Sequence, residues 1–82
     1  MSDMKNRYYE WTNEVFAASP FDLKTNNLLS LVAALMAGNP GAINYFHGAA
    51  KKAGASEAEL AAVADLAVAA SGLNLYALWP KE

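Results

Sequence analysis

No cysteine occurs among the 82 residues. Disulfides, thiolate catalysis and cysteine-bound zinc or iron–sulfur clusters are therefore excluded for this chain. Histidine occurs once, as His47, so a multi-histidine metal site within one chain is not expected. Copies of His47 meeting on a symmetry axis are the remaining route to such a site, and nothing in the pattern asks for it. No metal and no cofactor are expected. Positive charge is also sparse: six Lys and Arg stand against eight Asp and Glu, and Lys51-Lys52 is the one basic cluster. That is too little for phosphate-driven nucleic-acid binding. The apolar runs Leu28–Ala37 and Leu66–Ala70 fall far short of the ~20 residues of a membrane span. The opening MSDMKNRYYEW has no apolar stretch of the signal-peptide kind. The expectation is a cytoplasmic protein with no nucleic-acid and no membrane partner. Glycine-rich phosphate loops, paired catalytic carboxylates and nucleophile elbows are missing as well.

What is there is alanine and a high apolar content. Hydrophobic residues make up 55% of the chain and charged residues 17%, a balance that argues against disorder. The length fits one small domain, residues 1–82. A chain of this size buries only about 60–65% of its unfolded surface and has a thin stability margin. With no disulfide to help, association with other copies is the usual remedy.

Strong helix formers dominate, β-branched residues are few, and no segment alternates as a strand does. The chain is read as all-α, with four to five helices. The first is expected over residues 3–18. Met4, Tyr8, Trp11 and Val15 recur at spacings of four, three and four, which places them on one stripe, widened by Tyr9 and Phe16. This aromatic stripe reads as core or interface rather than as a cofactor platform. Ser19-Pro20 stops the helix. The second is expected from Asp22, an N-cap, to Ala37, before the stop signal Gly38-Asn39-Pro40. From Leu28 onward it is apolar almost all round, as helices surrounded by protein are. The third runs from about Pro40 to Ala53, with Lys51 and Lys52 in its last turn and Gly54 past its end. The fourth opens with the capping box Ser56-Glu57-Ala58-Glu59 and continues to about Ala70. Ser71-Gly72 predicts a break or kink, and Leu75, Tyr76, Leu78 and Trp79 a short final helix. Helices two and four together present more apolar face than one chain of this size covers, which predicts a homo-oligomer.

Few side chains carry chemistry. His47 lies mid-helix, one turn after Ile43 and Asn44 and one turn before Lys51, and an imidazole serves as general acid or base near neutral pH. The plainer reading is a surface or interface histidine that only hydrogen-bonds. Asp65 aligns with Ala58, Ala61, Ala62, Ala69 and Gly72, a small-residue face suited to close helix contact. There it is placed to hold His47 or a lysine, or simply to lie on a solvated face. Asn26 and Asn27 open the second helix and suit a ligand or a neighbouring helix end, though asparagine is also ordinary in a first turn.

A succession of pieces over residues 21–79 resembles the alkylhydroperoxidase D-like superfamily, which includes the carboxymuconolactone decarboxylases. Asp22-Leu23-Lys24-Thr25-Asn26-Asn27-Leu28-Leu29 is similar to its "D-x-K-x-x-E-L-I", and Leu31–Gly38 to the apolar helix that follows. Ala42-Ile43-Asn44-Tyr45-Phe46-His47-Gly48-Ala49-Ala50 resembles "C-I-x-Y-H-x-x-A-A". Lys52-Ala53-Gly54-Ala55-Ser56-Glu57-Ala58-Glu59-Leu60 resembles "K-A-G-A-T-x-E-E-I". The resemblance implies an alkylhydroperoxidase D-like helical fold and a homo-oligomer, a trimer or hexamer. Redox members carry Cys-x-x-Cys and then a histidine four residues on. Here those positions are Pro40 and Ile43, and the relay glutamate falls near Asn27. An amide relays no proton as a carboxylate does. Thiol peroxidase activity is thus not implied, and His47 alone remains of that set. The decarboxylase branch, which acts on lactone acids, does not depend on the cysteines, but no mid-chain arginine is present to grip a carboxylate.

Two functions follow as expectations. In one, a small organic molecule is bound or converted at an oligomer pocket near His47, with Asn27, Asn44, Tyr45, Lys51 and Asp65 as neighbours. In the other, the chain is a non-catalytic scaffold or protein-interaction module that keeps only the fold.

Overall fold

The computed structural model describes residues 2–80 (the side chains of Ser2 and of residues 74–76 excepted). Four helices follow one another: α1 Ser2–Ala18, α2 Leu23–Ala37, α3 Pro40–Lys52 and α4 Glu57–Leu78. No strand occurs among the described residues, in keeping with the all-α reading.

The helix ends follow the local chemistry. Asp22 caps α2, its carboxylate accepting from the Thr25 N–H at 2.7 Å. That hydrogen bond, and a further one from the Thr25 side chain, hold the Asp22 carboxyl below its ordinary value. Gly38, at φ 68°, takes the left-handed position past α2, where a side chain would be strained. Its N–H donates to the Ala34 carbonyl at 3.0 Å, and the Asn39 N–H reaches the same oxygen at 3.3 Å. The next residue starts a new helix at once: Asn39 caps α3 by accepting from the Ala42 N–H at 3.2 Å, and Pro40 occupies the first turn. The capping box of α4 closes in both directions. The Glu59 N–H donates to Ser56 Oγ at 3.0 Å, and the Ser56 N–H to Glu59 Oε1 at 2.9 Å.

The core lies between α2, α3 and α4, with α2 in the middle. Leu31, Ala50, Ala55, Leu60 and Val63 form its buried centre, and Leu28, Val32, Leu35, Ile43 and Phe46 pack around it. Ala50 is the best buried, at 0% exposure. Its lack of bulk lets α3 lie close to α2.

Within one chain the α1 stripe does not fill the core half of the core-or-interface reading: Met4, Tyr8, Trp11 and Val15 all remain exposed. The helix instead attaches along its Thr12–Phe16 side. The Phe16 ring stacks on Phe46 with centroids 6.4 Å apart, and Asn26 ties the α1 end to α2, its Nδ2 donating to the Phe16 carbonyl at 3.5 Å. One expectation is corrected: no break occurs at Ser71-Gly72, and α4 runs unbroken to Leu78. A glycine inside a helix costs only about 1 kcal/mol relative to alanine, and Ser71 Oγ donates to Met36 Sδ of α2 at 3.3 Å. Within the chain the small-residue face of α4 makes no close helix contact. Leu60, Val63 and Ala67 face the core, while Ala58, Ala61, Ala62, Asp65 and Ala69 stay exposed.

The result is elongated. The radius of gyration is 15.5 Å and the principal extents are 53 × 34 × 25 Å, where a compact domain of this length has a radius of about 12 Å. The accessible surface is 6584 Å², against about 4,700 Å² for a folded monomer of this mass.

Candidate functional site

The two sides of α3 differ. At 3.6 residues per turn, Ala42, Tyr45, Phe46, Ala49 and Ala53 share one side, and Asn44, His47 and Lys51 the other. The first side forms one wall of a groove of about 820 Å³, and Tyr8, Tyr9 and Phe16 of α1 form the opposite wall. Four aromatic rings of the groove come in contact pairs. Tyr45 meets Phe46 edge-on at 5.1 Å, and Tyr8 meets Tyr9 at 5.8 Å. Polar groups stand at its margins: Asn13, Asn27, Asn39 and Lys52.

Asn27 is the one buried polar residue among those described, at 5% exposure. Its Nδ2 donates to the Leu23 carbonyl one turn earlier at 2.9 Å. The carboxamide is thus oriented by its own helix while still reaching the groove lining. Beside it the first turns of α2 and α4 are pinned by Lys24 Nζ and Glu59 Oε2 at 2.9 Å. Glu59 is held below its ordinary value by the Ser56 N–H and then by Lys24. Lys24 is raised by its hydrogen bond to Glu59.

The sequence-predicted residues separate into two groups. Asn27 and Tyr45 both line the groove. Asn44, His47 and Lys51 lie on the exposed far side of α3. There Lys51 Nζ is engaged by Glu57 Oε1 at 3.2 Å, so its charge is already shared across the α3–α4 turn. Asp65 stands on the exposed side of α4, and among the described residues no hydrogen bond or ion pair joins it to His47. No cluster of three metal-ligating side chains occurs among the described residues, and none of their helices is long and apolar enough to cross a membrane.

Sequence reasoning passed over Lys52, Asn13 and Asn39 as groove residues. The usable signal was the widening of the α1 stripe by Tyr9 and Phe16, which marks a second face on that helix.

The helical architecture, with α2 packed between α3 and α4, is that of the alkylhydroperoxidase D-like class. More particularly, the carboxymuconolactone decarboxylase family matches residues 2–79, and the chain belongs to that family. The match starts at α1, so the family's domain includes the helix that the sequence resemblance had left outside. No curated protein and no solved structure matches the chain.

Proposed function

We propose that the chain is the subunit of a homo-oligomer that binds a small organic molecule without thiol chemistry. The carrying observation is the α1–α3 groove. At about 820 Å³ with aromatic walls it has the size and lining of a small-molecule site, and both Asn27 and Tyr45 line it. His47 joins the chemistry where a neighbouring copy covers the outer side of α3. An imidazole enclosed there acts as proton donor or acceptor beside Asn44 and Lys51. The oligomer itself is supported by the accessible surface, which exceeds that of a compact monomer by roughly 1,900 Å².

The second reading, a non-catalytic scaffold, is favoured by the state of His47: in the single chain it is exposed and makes no hydrogen bond to another described side chain. A thermal-shift screen separates the two. The panel holds lactones, aromatic carboxylates and quinones, run on wild type, Tyr45→Ala and His47→Ala. A ligand raises the melting temperature by mass action on the native state. Loss of the shift in Tyr45→Ala alone assigns binding to the groove. Loss in His47→Ala assigns it to the oligomer pocket. Absence of any shift, with altered assembly in His47→Ala, favours the scaffold.

A further inference from the structure

We infer that α1 is a self-pairing helix: two copies of this chain pack their α1 stripes antiparallel about a two-fold axis. The inference rests on the homo-oligomer reading above and specifies the surface, the orientation and the register.

The stripe is unpartnered and shaped for a helix. Met4, Tyr8 and Trp11 are 73%, 59% and 60% exposed, and Val15 44%. They stand roughly a quarter-turn round α1 from Phe16, which holds the helix to its own chain. Tyr8, Trp11 and Val15 wall a shallow groove whose floor is Ser30, Ala33 and Ala34 of α2. Small residues on that floor leave room for another helix to come close. Tyrosine and tryptophan are the residues that interfaces concentrate.

The stripe also reads the same from both ends. Met4 and Val15 are equidistant from a point between Tyr9 and Glu10, and so are Tyr8 and Trp11. Reversing one α1 against another therefore sets Met4 on Val15 of the second copy and Tyr8 on its Trp11. Spacings of four, three and four are those of a coiled-coil seam. Charge fits the same arrangement. Arg7 and Glu14 flank the stripe on the side away from the chain's own body. Antiparallel pairing brings Arg7 of each copy toward Glu14 of the other. A parallel pairing puts the two Arg7–Glu14 flanks on opposite sides of the seam, so Arg7 then has no acidic residue of the other copy opposite it. Arg7 already bonds Asp3 at 3.3 Å on the exposed surface, a contact loose enough to be shared. The area suffices too. A stable interface takes about 800 Å² from each partner, well within the excess surface of the chain. Self-complementary patches of this kind generate two-fold symmetry, so the number of subunits is even: a dimer, or a hexamer built from such pairs.

Cysteine cross-linking tests this directly, because the chain has no cysteine of its own. Met4→Cys and Val15→Cys are made singly, at positions exposed enough to leave the fold unchanged, and oxidised alone and as a mixture. Light scattering of the wild type runs alongside. Antiparallel pairing gives a covalent dimer only in the mixture, since like positions on the two helices lie about 16 Å apart. Cross-linking in each single variant alone means parallel α1 helices and overturns the inference. So does an oligomeric wild type with no cross-link in any sample, which leaves the homo-oligomer reading standing. A monomeric wild type overturns both. A Tyr8→Glu/Trp11→Glu variant that keeps the wild-type mass overturns the choice of α1.

Discussion

At the residue scale, two contacts hold helix ends in place and each has a measurable consequence. Asn39 satisfies the Ala42 N–H at 3.2 Å. Asn39→Ala leaves that donor to water and costs about 1 kcal/mol, seen as a melting temperature lower by about 4–8 °C. Glu59 binds both the Ser56 N–H and Lys24, and its folded value lies below the ordinary 4.5. The stability it contributes is therefore full above the ordinary value and is lost as pH falls through the lowered one. Lys24, raised above 10.5, gives the mirror image: its share is full below the ordinary value and is lost as pH rises through the raised one. In a melting series from pH 6 to pH 3, Glu59→Gln shows a shallower acid loss than wild type. Equal slopes mean that the pair contributes nothing. The candidate site was legible only in part at this scale. Tyr45 and Asn27 were identifiable by type and by resemblance, and both line the groove. That His47 lies on the exposed side of α3 follows from Ile43 and Ala50 turning to the core on α2 and Phe46 to Phe16, a tertiary choice that spacing within α3 does not contain.

At the element scale, α2 and α3 end and begin where their caps dictate, and their bounds were readable from Asp22, Gly38, Asn39 and Pro40 because each acts within one turn. The capping box did the same for the start of α4. The end of α4 was not readable. Ser71-Gly72 is a stop signal only when nothing continues beyond it, and here good helix formers follow and Ser71 is tied to Met36. Gly72 has open space where a Cβ would sit. Gly72→Ala therefore stabilises the chain by up to about 1 kcal/mol, measured as a higher melting temperature. A drop instead means that the helix bends or meets a neighbouring copy at this point. The stripe of α1 shows the other limit. Its periodicity marks an apolar face correctly, but periodicity does not say whether the partner is the same chain or another one.

At the scale of the whole molecule, the chain is a poor monomer. Its core centres on Leu31, Ala50, Ala55, Leu60 and Val63, and two of these five are alanines. Large apolar residues are instead spread over the outside: Tyr8 and Trp11 on α1, Leu66, Val68 and Leu73 on α4. A core of that size offers little margin against the conformational entropy of ordering the chain. If neighbouring copies cover the exposed faces, folding and association are one equilibrium, and mass action makes stability depend on protein concentration. The melting temperature then rises steadily as the protein is concentrated from 1 to 100 μM, and the midpoint in urea moves with it. The same dilution series read by light scattering shows the mass falling where the melting temperature falls. A melting temperature that stays constant over this hundredfold range means that the small core stabilises the fold unaided. The exposed aromatic and aliphatic faces then serve a partner other than this chain.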